Sequence, residues 1–114
     1  MKSLFDLEEQ QRLWLDRIFK ALASETRLLL IRILRQLNKP VTLRQLKAES
    51  NLQHFSWKLF LSHIQILADA KLVKLSGVAN DKKENIVELT PLGKNFIERL
   101  EETVREALSK AISL

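Results

Sequence analysis

The chain has 114 residues, enough for one domain around one core and too few for two. It has no cysteine, which excludes disulfides, thiolate chemistry and every sulfur-based zinc site. Its two glycines and two prolines exclude a glycine-rich phosphate loop, and its 19 Lys and Arg against 14 Asp and Glu leave a net charge of +5, the balance of a chain that meets a polyanion.

At the amino end MKSLFDLEEQ carries charge where a signal peptide has its apolar segment, and no apolar run reaches the ~20 residues of a membrane span, so the expected location is the cytoplasm, with no membrane partner. From Leu4 to about Leu22, Leu4, Leu7, Trp14, Ile18 and Leu22 recur at helical spacing, with Gln11 interrupting the stripe, and predict a first helix. Ser24 is the expected N-cap of a second helix that runs to about Leu37. Its Leu28, Leu29, Leu30, Ile31, Ile33, Leu34 and Leu37 make it apolar nearly all round, as expected of the central helix of the core. Lys39-Pro40 ends it. Thr42 and Gln45 have the spacing of a capping box and open a short third helix to about Glu49, with Leu43 and Leu46 facing inward. A turn follows over residues 50–55. Ser56 then caps a fourth helix to about Ala70, whose buried stripe is Phe60, Ile64 and Leu67.

After Lys71 the apolar period shortens towards two. Leu72, Val73 and Leu75 precede Ser76-Gly77, and Ile86, Val87 and Leu89 follow the polar stretch 80–85, which predicts a two-stranded hairpin with a Lys-bearing tip. Thr90-Pro91 starts the last helix, where Ile97, Leu100, Val104, Ala107 and Ala111 recur at spacings of three and four, the seam of a coiled coil. About 20 residues at ~1.5 Å each make a rod of ~30 Å, longer than a core of this size needs. The charge is divided along the same lines. Residues 1–20 are neutral overall and residues 95–114 carry three positive against four negative groups, while residues 39–94 hold nine positive against five negative. A polyanion surface in the middle and a different role for the ends are expected.

Two helices joined by a turn, the second followed by a hairpin with a basic tip, is the order of a winged helix-turn-helix, in which the second helix enters the major groove and the hairpin reaches along the backbone. The residues carry a family resemblance as well. Phe19-Lys20-Ala21-Leu22-Ala23-Ser24-Glu25-Thr26-Arg27-Leu28 with Ile31–Leu34 resembles the opening of the ArsR-like winged-helix regulators. Ser62-His63-Ile64 with Leu67, Ala70, Leu72 and Val73 is similar to that family's recognition helix and its exit, and Leu89-Thr90-Pro91-Leu92-Gly93 is similar to the segment that closes the wing. The resemblance spans roughly residues 17–95. It implies a fold that is mainly α with a small β-hairpin, a winged helix-turn-helix with long N- and C-terminal dimerisation helices. Residues 1–114 are then a single domain, with 1–22 and 91–114 as dimerisation helices, 42–70 as the helix-turn-helix and 71–90 as the wing. The function it implies is that of a homodimeric DNA-binding transcriptional regulator, with repression as the expected effect.

Three departures limit the likeness. The interval from Leu46 to Ser56 is about three residues longer than the family's, Lys71 stands where the family has a helix-ending glycine, and Leu43-Arg44-Gln45-Leu46 lacks the cysteines through which metal-sensing members bind their ion. No metal or cofactor is therefore expected, and the sequence does not identify an effector ligand.

On the fourth helix Trp57, Lys58, Leu61, Ser62 and Gln65 lie opposite the buried stripe. Ser56 stands at its N-cap. Lys58 suits a phosphate or guanine, Ser62 and Gln65 suit base edges, and Trp57 suits either the entry to the groove or packing on the extended turn, as does Leu61. One cation with two large apolar groups is poor material for base readout, so modest sequence specificity is expected. Lys82 and Lys83, beside Asn80, suit phosphate contacts from the wing or a solvated turn. Arg44 and Lys47, expected on the exposed side of the third helix, are candidate phosphate contacts, and Arg27 suits either a phosphate or a carboxylate partner. Leu4, Leu7, Trp14, Ile97, Leu100, Val104 and Leu108 are the expected dimer interface. His54 and His63 have no acidic companion at ligand spacing and are expected to be structural, and Glu98, Glu101, Glu102 and Glu106 form a solvated face. No nucleophile with a base can be assigned, so the chain is not expected to be an enzyme. Two alternatives fit the same residues: an architectural DNA-coating protein of low specificity, and a protein-interaction module that docks through Phe55, Trp57 and Leu61.

Overall fold

The computed structural model describes residues 7–77 and 80–113. Each helix starts where a side chain caps it. Helix α1 (Glu9–Leu22) begins after Glu8, whose backbone N–H donates to Gln11 Oε1 at 3.1 Å, so the Gln11 that breaks the apolar stripe is part of a capping box. The helix therefore starts later than the spacing of Leu4 and Leu7 predicts. Leu7 precedes it, and Leu4 lies outside the described residues. Helix α2 (Glu25–Leu37) is capped by Ser24, which accepts from the Arg27 N–H at 3.3 Å, and ends at Asn38 in the left-handed conformation. Helix α3 (Leu43–Glu49) has the predicted box, with Gln45 N donating to Thr42 Oγ1 and Thr42 N donating to Gln45 Oε1.

The long interval after α3 is ordered by its own hydrogen bonds. Asn51 adopts the left-handed conformation with φ 59, its N–H donates to Ala48 O, and Leu52 N donates to Lys47 O. That pair is a Schellman motif, and the buried Leu52 anchors it to the core. Helix α4 (Trp57–Asp69) follows, capped by Ser56. It ends in the same way: Lys71 has φ 61, Lys71 N donates to Ala68 O and Leu72 N to Leu67 O. The lysine at the family's glycine position thus takes the left-handed conformation that glycine would adopt freely.

The hairpin is β2 (Val73–Ser76) with β3 (Ile86–Leu89), antiparallel, joined in part by a single 3₁₀ turn at Lys82–Glu84. A strand that the sequence pattern did not predict joins it. Strand β1 (Val41–Thr42) pairs Val41 with Val87 and Thr42 with Ile86, so β3 is the centre of a three-stranded sheet, not one arm of a two-stranded hairpin. Helix α5 (Pro91–Ser113) is a single rod of 23 residues.

The core lies between these elements. Ile18 and Ala21 of α1, Leu30, Ile31 and Leu34 of α2, Leu43 and Leu46 of α3, Phe60, Ile64 and Leu67 of α4 and Val87 of β3 are all buried. Fully burying each large apolar side chain contributes ~1.5–3 kcal/mol. Helix α2 is more one-sided than its composition predicts, because Leu28 remains 44% exposed. Among the described residues no helix is long and apolar enough to cross a membrane, and no group of His, Asp and Glu could hold a metal ion.

Candidate nucleic-acid interface

Helix α4 turns Phe60, Ile64 and Leu67 into the core, which leaves Lys58, Ser62, Gln65 and Asp69 exposed on its outer side. Two of those polar groups are already oriented. Ser62 Oγ donates to Leu59 O at 2.6 Å, which leaves its lone pairs outward as acceptors. Gln65 Nε2 donates to Asp69 Oδ1 at 2.9 Å, so its carbonyl oxygen is the freer end. Ser56 Oγ is spent as the cap, accepting from Leu59 N at 3.1 Å. Leu59, 44% exposed at the start of the helix, adds an apolar group beside this face that the spacing argument did not single out.

Trp57 is half-buried and packs edge-on against Phe60, with ring centroids 5.7 Å apart. Two ammonium groups lie against its indole, Lys47 Nζ at 5.1 Å and Lys83 Nζ at 5.2 Å from the ring centre. One comes from α3 and the other from the wing, so Trp57 is the point where the helix-turn-helix and the wing meet. Lys47 corrects the sequence expectation of an exposed side chain. It is only 7% exposed, and its ammonium donates to Gln53 O at 3.3 Å, because residue 47 lies one turn after the buried Leu43.

Arg44 is exposed but engaged. Its Nε donates to Glu84 Oε1 at 2.7 Å and its Nη2 lies 3.6 Å from Asp81 Oδ2, both in the wing turn. The hydrogen bond to Glu84 holds its proton more tightly than usual, against an opposing effect of burial, and the charges of Glu84 and Asp81 add to the hydrogen bond. Lys82 is exposed at the same turn. The structure therefore gathers Arg44, Trp57, Lys82 and Lys83 at one corner beside the start of α4, with two carboxylates that the sequence argument left out.

Arg27 is the second correction. It is nearly buried and has no carboxylate partner among the described residues; at 9% exposed it donates from Nε to Ala21 O at 2.8 Å and from Nη2 to Lys20 O at 2.8 Å, and its Nη1 donates to His63 Nδ1 at 3.0 Å.

The expected dimer residues divide into two groups. Trp14 is committed within the chain, donating from Nε1 to Ala70 O at 3.1 Å and meeting Phe96 edge-on at 6.3 Å. Ile97 is buried. Leu100, Val104 and Leu108 line a groove of about 510 Å³ between α5 and α2, together with Leu28 and Ile31, and Val104 and Leu108 are 45% and 56% exposed. Arg35 and Glu101 pair at its edge at 2.5 Å.

No family model matches the chain, and no curated protein matches it. Solved structures do. An ArsR-family transcriptional regulator aligns with a TM-score of 0.61 at 20% identity, over 84% of this chain and 97% of that one. The M. tuberculosis protein Rv0081 aligns at 0.68 and 19% identity over 93% and 99%, and HlyU from Vibrio cholerae at 0.59 and 21% over 84% and 97%. The chain has the winged helix-turn-helix fold and shares it with these three structures.

Proposed function

We propose that the chain is a homodimeric, DNA-binding transcriptional regulator that acts as a repressor in the cytoplasm. The observation that carries this is the outer face of α4, whose Lys58, Ser62 and Gln65 project beside a wing corner bearing Lys82 and Lys83, in a fold shared with transcriptional regulators. Helix α4 would enter the major groove, Ser62 and Gln65 would address base edges, and Lys58, Lys82 and Lys83 would meet phosphates. Lys47 is left out of this set, since its ammonium is turned inward onto Gln53 O. Two copies would pair through the apolar α2–α5 groove, placing two α4 helices on one side of the dimer.

A second reading, that of an architectural protein of low specificity, draws support from one observation. Asp69 and the two wing carboxylates offset Arg44 and the single cation of α4, which leaves little for base recognition. Gel-shift titrations separate the two. A regulator retains a duplex selected from a random pool much more strongly than a scrambled one, and binding weakens steeply with salt. Lys82→Ala with Lys83→Ala lowers affinity on all duplexes alike and flattens the salt slope by about two. Failure to retard any duplex at low salt refutes DNA binding.

A further inference from the structure

Arg27 and His63 are used by none of the contacts assigned to DNA, yet they form a closely bonded polar cluster. The guanidinium of Arg27 is buried and donates in three directions: to the carbonyls of Lys20 and Ala21, in the last turn of α1, and to Nδ1 of His63 in the middle of α4. The carbonyls at the end of α1 carry partial negative charge and stand in for a carboxylate. The third direction needs a lone pair. Arg27 cannot give up its proton, so His63 Nδ1 must be the acceptor, which fixes the ring as neutral with its proton on Nε2.

We propose that the Arg27–His63 hydrogen bond is the tie that sets the orientation of α4 against the end of α1, and that protonation of His63 releases it, so that the chain's discrimination between DNA sequences falls in acid. His63 is a positioning residue in this scheme, and the proposal rests on the DNA-binding role of α4 argued above.

The surroundings of the ring leave the added proton no compensation. From α2 it faces the Arg27 guanidinium, and from α1 the two carbonyls that this guanidinium already occupies. From the turn it faces the Phe55 ring at 6.1 Å, with His54 stacked edge-on to the same phenyl at 4.8 Å. One turn further along α4, Arg17, Lys20, Ile66 and Asp69 line a shallow cleft between α1 and α4. Burial, and then the charge of Arg27, both disfavour the imidazolium. Protonation would convert a hydrogen bond into two cations 3.0 Å apart, a repulsion that moving α4 away from α2 relieves. Residue 63 follows Ser62 directly, so such a shift moves the base-facing side chains with it. Extra positive charge strengthens attraction to every duplex equally, so the loss is confined to the ratio of selected to scrambled DNA.

The experiment uses the full chain with His54→Gln, which leaves one histidine. The affinity ratio for a selected against a scrambled duplex is measured from about pH 7.5 to about pH 5. It is expected to fall by about tenfold, because a shifted α4 loses base contacts that the selected duplex alone offers. His63→Gln, whose Oε1 accepts from Arg27 at any pH, is expected to bind as well at the upper pH and to hold its ratio to within about twofold throughout. A ratio that stays flat in the histidine protein, or falls equally in His63→Gln, overturns the proposal. Imidazole nitrogen NMR on the same protein reads the tie without DNA: an Nε2–H tautomer at neutral pH is expected, and an Nδ1–H tautomer or an imidazolium overturns it. Loss of all DNA binding with the Nε2–H tautomer intact refutes the regulatory role of α4 and with it the proposed effect on discrimination.

Discussion

Replacing Gly93 by alanine tests how α5 is seated. Helix propensity alone favours the substitution by ~1 kcal/mol, because glycine loses more backbone freedom than alanine on entering a helix. The structure reverses that sign. A Cβ at residue 93 would lie 2.3 Å from Leu72 O, 3.0 Å from Leu72 C and 3.1 Å from Leu72 Cα, all backbone atoms that no side-chain rotation can move aside. Relief requires the first turn of α5 to lift by about 1 Å from a contact that ordinarily sits beyond ~3.5 Å between carbons. Lifting it weakens two hydrogen bonds that dock the turn, Thr90 N to Leu72 O at 3.1 Å and Thr90 Oγ1 to Lys71 O at 2.7 Å. Each is worth ~1 kcal/mol and overpacking adds ~1–3 kcal/mol, so the net loss after the propensity gain is about 2–4 kcal/mol. Urea unfolding followed by circular dichroism should show a lower midpoint at unchanged slope, and thermal melts a Tm lower by roughly 10 °C. A midpoint equal to or above that of the parent chain would refute the close approach.

The remaining predictions concern single positions. Lys71→Gly should stabilise the chain by about 1 kcal/mol in the same urea assay, since φ 61 costs a lysine roughly that much and glycine little. Val104→Glu with Leu108→Glu should leave the melting behaviour of the subunit intact, since both side chains are about half exposed, and should convert a dimer to a monomer by light scattering at micromolar concentration. Folding stability should also depend on pH through His63. Its pKa is lowered in the folded chain, so its contribution is complete above about pH 6.5, the ordinary histidine value, and is lost as pH falls from there through the folded value. Urea midpoints of the parent chain should fall across that window more than those of His63→Gln.

Much of this arrangement was legible because it is local. Ser24, Thr42 and Ser56 are caps whose partners lie three residues away, and all three start helices where predicted. Thr90-Pro91-Leu92-Gly93 announces the start of α5 for the same reason. What escaped depends on partners distant in sequence. Val41 becomes a strand only because Val87 is beside it, and Arg27 is buried because the end of α1 and His63 converge on it from opposite sides. Lys47 looks solvent-facing from its charge, but its stem follows Leu43 into the interior and a turn carbonyl meets its tip. Arg44 was foreseen as exposed, while the carboxylates that hold it lie some forty positions along the chain. In α1, the recurrence of Leu4 and Leu7 outweighed the capping geometry of Glu8 and Gln11 as a guide to where the helix begins.

The pairing of Val41 with Val87 also ties the two halves of the molecule into a loop, and its importance is kinetic. Helices α3 and α4 form from neighbouring residues, but this ladder closes a segment of about 45 residues at an entropic cost of about 3 kcal/mol, so it should form late in folding. Once closed, it allows no separate unravelling of the β2–β3 arm, since peeling β3 away also frees the residues that lead into α3. Amide protons of β1 and the centre of β3 should therefore exchange together, in a common opening event, and a backbone cut in the turn between α3 and α4 should leave two fragments held to one another by the sheet.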